Sequence, residues 1–146
     1  MKPEKYQAEE KDAPFLQLIS GSSDDTQVNV IDWRREDAVG PVLKQGSCGG
    51  CWAITAAGML EGAISIQKKS KADVSVQQII DCASKYNTGS VYVSKGCDGG
   101  YLEEAFMYAK EFPLTTNKAY PFTGKNQECK LAPNMESTKV NVKGIY

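Results

Sequence analysis

The longest apolar run in the chain lies between Cys51 and about Lys68. Trp52, Ile54, Ala56, Ala57, Met59, Leu60, Ala63, Ile64 and Ile66 fall there on nearly every side of a helical wheel. A helix that is apolar all round is a buried one, so this stretch predicts a central helix with Trp52, Ile54 and Met59 as core residues. Lys68, Lys69 and Lys71 gather at its end, where cations suit the helix dipole. Ser75-Val76-Gln77-Gln78 has the spacing of a capping box and predicts a shorter helix through Ile79, Ile80 and Cys82. Leu102, Ala105, Phe106 and Ala109 recur at offsets of three, four and seven, which predicts a third helix running to Lys110. From Lys139 to Tyr146 the partial alternation of Val140 and Val142 reads as a strand. Gly40-Pro41 and Gln45-Gly46-Ser47 mark a turn-rich loop immediately before the long helix.

Upstream the texture is different. Residues 1–27 set three lysines against six acidic side chains, and their only apolar cluster is Phe15, Leu16, Leu18 and Ile19. They read as an N-terminal tail, either a propeptide-like remnant or a leader, with the folded domain expected over 28–146. Its first dozen residues lack the apolar centre of a secretory signal. With 146 residues, 41% of them apolar and 24% charged, the chain can support a packed core. A net charge of −1 provides no basic field, which argues against nucleic acid as the main partner. No run approaches the apolar length of a membrane span.

Two counts narrow the chemistry. There is no histidine, so the commonest general base, metal ligand and pH switch are all missing. There are five cysteines, an odd number, so disulfide pairing leaves one thiol over. Sequence alone allows any of the five to be the odd one, with three pairings of the rest in each case.

The octapeptide Gln45-Gly46-Ser47-Cys48-Gly49-Gly50-Cys51-Trp52 puts Cys51 where the loop becomes the long helix. Unpaired backbone N–H groups and the positive dipole end there favour a thiolate, and the same donors suit an oxyanion. Gln45 lies close enough across a glycine turn to offer a side-chain amide as a second donor.

This octapeptide resembles the active-site segment of papain-family cysteine peptidases, whose signature is Cys-Gly-(Ser or Ala)-Cys-(Trp or Tyr). Further blocks resemble the family in order: Asp32-Trp33-Arg34, Leu60-Glu61-Gly62, Ile80-Asp81-Cys82, Cys97-Asp98-Gly99-Gly100-Tyr101, and Ala119-Tyr120-Pro121-Phe122 followed by Cys129. The resemblance implies an α+β papain-like fold, represented here mainly by its helical domain. It implies Cys51 as nucleophile and Gln45 as oxyanion-hole donor. Gly49, Gly50, Trp52, Gly99, Gly100, Tyr101 and Leu102 would bind substrate, with Gly99 and Gly100 pairing to an extended peptide. Disulfides Cys48–Cys97 and Cys82–Cys129 are implied as well, which would leave Cys51 free.

The chain also departs from the family pattern. Gly50 replaces the usual Ser or Ala, and Val76 stands where papain has a glutamate. The stretch Tyr86-Asn87-Thr88-Gly89-Ser90 reads as a surface insertion. The family histidine follows the cysteine by roughly 130–150 residues, whereas 95 residues follow Cys51. A helix terminus contributes about 0.3–1 kcal/mol, while a papain thiol falls from about 8.5 to about 3–4, mainly through its histidine. The expectation is therefore a peptidase half, inactive alone, whose partner is a β-rich second domain or chain carrying the histidine and asparagine.

Other expected partners are a peptide or protein substrate and a propeptide or cystatin-like inhibitor, with no cofactor and no metal. The expected location is lysosomal, vacuolar or extracellular. Two alternatives are a non-catalytic peptide- or protein-binding papain-like domain and a Cys48-x-x-Cys51 thiol oxidoreductase; a zinc site on Cys48, Cys51, Cys82 and Cys97 is allowed by count but not by spacing, since Cys82 and Cys97 are too far apart for a usual knuckle. Glu61 reads as a paired structural carboxylate, and a chain ending at Tyr146 would carry an uncovered apolar face.

Overall fold

The computed structural model describes residues 31–85, 93–140 and 142. The tail 1–27, the insertion around Tyr86–Ser90 and most of the expected terminal strand lie outside the described residues. Among the described residues three α-helices form in order: α1 (Cys51–Lys68), α2 (Val76–Cys82) and α3 (Leu102–Glu111). Short 3₁₀ turns occupy Ala83–Lys85 and Gly96–Asp98. A two-stranded antiparallel ladder follows, with β1 (Leu114–Thr115) facing β2 (Ser137–Thr138). Leu114 sits opposite Thr138, and Thr115 opposite Ser137.

Helix α1 packs against both other helices. Its contribution to the core is small at the centre and large at the ends: Ala53, Ala56 and Ala57 between Trp52 and Leu60. Ala105 and Ala109 of α3 are equally buried, and alanines let helix axes approach closely. Ile79 and Ile80 of α2, Tyr108 of α3, Val74 and Leu114 complete the cluster.

The all-round burial expected for α1 is not observed. Cys51, Thr55, Gly58, Met59 and Ile66 are exposed, and they share one face of the helix. Met59, expected in the core, is 56% exposed. Periodicity registers which positions are apolar; nothing among the described residues lies over this face. Trp52 is buried and Ile54 partly buried against the core, as expected.

The strand also differs from its expectation. It lies at Ser137–Thr138, ahead of the predicted start at Lys139, and the Lys68 Nζ donates to Thr138 Oγ1. Val140 and Val142 sit half-buried against the core instead of extending a ladder.

All seven residues of α2 are buried, including Gln77, Gln78 and Asp81. Ser75 caps the helix by accepting from the Gln78 N–H at 3.0 Å. The reciprocal half of the capping box is missing, because Ser75 N–H donates to Thr115 O. The Gln78 side chain instead donates to Tyr108 Oη and Pro113 O and accepts from Thr115 N–H and Oγ1–H. Gln77 donates to Asp81 Oδ1 and Lys125 O and accepts from Thr123 N–H. Burial, with the Asp81 carboxylate beside it, pushes the Tyr120 phenol up to about 12.

Two truncations separate the covered face from the open one. Ile79→Ala at a fully buried position should lower unfolding free energy by about 2–5 kcal/mol. Met59→Ala should change it by no more than about 0.5 kcal/mol. Urea denaturation of both variants checks the contrast, and equal losses would contradict this packing.

Candidate active site

Cys48 bonds to Cys97 and Cys82 to Cys129, with Cα separations of 4.6 and 4.9 Å. Cys51 is free and exposed. These pairs are those implied by the family resemblance, and they overturn both cysteine alternatives. Cys48 is bonded to Cys97 and not to Cys51, so the Cys-x-x-Cys pair is not a dithiol unit. Three of the four thiols of the zinc alternative are bonded elsewhere.

Cys51 is the first residue of α1, and the N-cap before it is Gly50. A glycine cap has no side chain to occupy the first-turn N–H groups, so that helix end remains open. Ala53 and Ile54 N–H both turn to Gly50 O, which starts the helix. A Cβ on Gly50 would lie 2.9 Å from Ile80 Cδ1 and 3.1 Å from Cys48 Sγ.

The loop before Cys51 is held by short polar contacts. Gln45 Nε2 donates to Cys48 O at 2.6 Å, which fixes the amide within the loop. Gly49 N–H donates to Cys97 O at 2.7 Å, across the disulfide. A Cβ on Gly49 would come within 2.6 Å of that same oxygen, so glycine is required by close approach.

The Gly99–Tyr101 segment stands beside this loop, its position set from two sides. Gly100 lies against the Trp52 indole, where an added Cβ would meet ring carbons at 2.5 and 2.6 Å. Trp52 is itself fixed by donation from Nε1 to Gly96 O at 3.0 Å. Gly99 and Gly100 are half-exposed and Tyr101 is 47% exposed, all available to a ligand. Leu102 is half-buried at the start of α3, and Gly49 is half-exposed. Gly50 and Trp52 are both buried.

A second feature flanks the open face of α1. A groove of about 920 Å³ runs between the loop through Val39, Pro41 and Leu43 and the helix positions Ile54 and Gly58. Its polar lining includes Glu61, Asp73 and Asn117. Glu61 Oε1 accepts from Val74 N–H at 2.9 Å, so this carboxylate is a structural tie, as expected. Burial raises its pKa, with Asp73 adding to the effect and Val74 N–H and Lys71 opposing it. Asn117 holds Asp73 and Val74 O through Nδ2, while its buried Oδ1 has no partner among the described residues.

Sequence reasoning missed Ser94, Glu104, Gln77, Gln78 and Asn117. The first two stand behind the Gly99–Tyr101 segment. Only the polar pair inside a short apolar helix hinted at the glutamines.

These features can be set beside known proteins. The family model described as papain family cysteine protease matches residues 28–146, and the chain belongs to that family. Its fold is papain-like, mostly helical with a small sheet. A cathepsin L-like proteinase of Phaedon cochleariae is 39% identical over 100 residues, covering 68% of this chain and 29% of that protein. Cathepsin S of Rattus norvegicus is 35% identical over 115 residues, covering 79% and 34%. Among solved structures, the Carica candamarcensis cysteine protease superposes with a TM-score of 0.66 at 32% identity, covering 78% of this chain and 49% of that one. The ragweed pollen cysteine protease Amb a 11, in its proform, gives a TM-score of 0.66 at 36% identity, covering 76% and 32%. The chain spans about a third of the length of the curated relatives it matches. No described helix is long and apolar enough to cross a membrane.

The environment of Glu61 gives a pH test. A raised carboxyl pKa means the folded state holds this proton more tightly than the unfolded chain. Its contribution to stability is therefore full below the ordinary value of 4.5 and declines as pH rises through the folded value. Glu61→Gln should match the wild type near pH 4 and gain on it towards neutrality, as followed by urea unfolding across pH. A gap that narrows as pH rises would contradict the assignment.

Proposed function

We propose that this chain is the nucleophile-bearing half of a cysteine endopeptidase, with Cys51 attacking the peptide carbonyl to form a thioester. The observation that carries this reading is an exposed, unbridged thiol at the open N-terminus of a helix packed against the core, beside a cross-linked extended segment. The Gln45 amide has a second N–H beyond the one given to Cys48 O, which suits it to the developing oxyanion. Gly99, Gly100 and Tyr101 would pair with an extended peptide, and Leu102 would border the neighbouring side-chain pocket.

The missing step is proton transfer. The chain has no histidine, so the base that activates the thiol and the acid that protonates the leaving amine come from outside these residues. A β-rich second domain or chain would supply them together with an orienting asparagine. Two features of this molecule support that partner: the exposed Met59 and Ile66 on the Cys51 face of α1, and the apolar groove beside it. The substrate would be peptide or protein, and the inhibitor a propeptide or a cystatin-like protein. The structure related to this chain that was solved as a proform supports the propeptide. Two disulfides favour a lysosomal, vacuolar or extracellular setting.

Labelling with a peptidyl epoxide inhibitor of cysteine peptidases tests the reading, with and without cell extract. Cys51 should be modified faster than free cysteine, faster still when extract supplies the second half, and not at all in Cys51→Ser. The purified chain alone should show no measurable peptide turnover. Labelling no faster than free cysteine under both conditions would favour the second reading, a non-catalytic peptide-binding domain.

A further inference from the structure

One buried carboxylate lies close behind the cleft without belonging to the catalytic set. Glu104 sits in the first turn of α3, yet it is only 4% exposed, whereas its neighbour Glu103 is exposed. Around it on the same helix are Ala105, Tyr108 and Ala109, all fully buried. A carboxylate in such surroundings is costly unless strong donors meet it. Among the described residues the backbone N–H of Ser94, itself 2% exposed, donates to Glu104 Oε2.

Ser94 passes this anchorage on to the cleft. Its Oγ accepts from Tyr101 N–H at 3.0 Å, and an added Cβ on Gly100 would lie 2.6 Å from the same oxygen. Lys95 N–H donates to Gly99 O at 2.8 Å, and Asp98 N–H to Lys95 O at 3.1 Å. The segment from Ser94 to Tyr101 is thus a closed loop. Its two ends meet at the Ser94 side chain and backbone, with Glu104 fastening the base. Trp52 and Ser94 both lie where a Cβ on Gly100 would fall, so together they limit where that backbone can lie.

We propose that Glu104, acting through Ser94, is the positioning residue for the Gly99–Tyr101 wall, holding its backbone at the height where an extended peptide pairs with it. The proposal rests on the reading of that wall as peptide-binding. Glu104 touches no substrate, and its effect falls on peptide recognition and not on the reactivity of the thiol.

The test compares two reagents on the same thiol. A peptidyl epoxide must pair with the wall before it reacts, whereas iodoacetamide needs only an accessible Cys51. In the wild-type chain the epoxide-to-iodoacetamide rate ratio should exceed that of free cysteine. Glu104→Ala and Ser94→Ala should lower it by about tenfold, since small displacements of a positioning surface are strongly felt. The iodoacetamide rate should stay unchanged. Glu104→Gln keeps an acceptor oxygen for Ser94 N–H and should restore the ratio to within about twofold. A wild-type ratio in Glu104→Ala would overturn the proposal. A wild-type ratio no better than free cysteine would instead count against the peptidase reading. Amide hydrogen exchange then decides the positioning role by itself. Protection of Tyr101 N–H lost in Glu104→Ala and kept in Glu104→Gln, with α2 amides unchanged, upholds it. Equal protection in both variants overturns it.

Discussion

The half-cleft depends on one covalent join, Cys48 to Cys97. It closes a loop with a sequence separation of 49, for which chain-entropy arguments give roughly 4 kcal/mol of stabilisation. Its geometric effect is at least as important. The loop that delivers Cys51 and the turn that delivers Gly99 come from distant parts of the sequence, and the bridge makes them adjacent. Gly49 N–H to Cys97 O pairs the backbones alongside the sulfurs, and Trp52 Nε1 to Gly96 O pairs them again on the helix side. The Gln45 amide is fixed on Cys48 O, so its aim is tied to the same join. Cys51, the Gln45 amide and the Gly99–Tyr101 wall are held together because each is fastened to the bridge or to its immediate neighbours.

The rest of the fold braces that assembly with polar contacts more than with bulk. The alanine-rich centre of α1 contributes little apolar area per residue, and the fully buried α2 carries two glutamines and an aspartate. Each of these side chains is satisfied, and a fully satisfied buried network confers rigidity, where a partly satisfied one would be a liability. Gln77 fastens the backbone at Thr123, and also accepts from Gly124 N–H. A Cβ on Gly124 would lie 3.9 Å from Gln45 O, so this network reaches the loop that precedes Cys51. The second disulfide, Cys82–Cys129, secures the same region from the end of α2.

What was legible in the sequence followed from local regularities. The bounds of α1 and α3 came from apolar spacing, the start of α2 from Ser75, and the disulfides from a family resemblance carried by several ordered blocks. What was not legible depended on tertiary context. Apolar periodicity marks Met59 and Ile66 as hydrophobic but cannot say whether anything covers them. Gln77 and Gln78 look like the solvated side of a short helix until the segment after Pro113 folds over them. Glu103 and Glu104 look alike as first-turn acids that suit the helix dipole, yet only one of them is buried. Val140 and Val142 alternate as in a strand, but they are half-buried against the core instead of lying in a ladder.

The open side of α1 has a polarity that constrains what can lie on it. The groove beside it is lined mainly by apolar residues, among them Val39, Pro41, Leu43 and Ile54, and any surface laid there gains from burial. Glu61 already has a raised pKa through partial burial, and removing the remaining water would raise it further. Asn117 Oδ1 is already buried, with no partner among the described residues, so a cover would leave it as it is. At Glu61 an apolar cover would lose part of what it gained, because unpaired buried acceptors are costly. A cover bearing N–H or cationic donors opposite Glu61 would turn that cost into a contact. The groove lies beside the helix face that presents Cys51, so one cover could meet both.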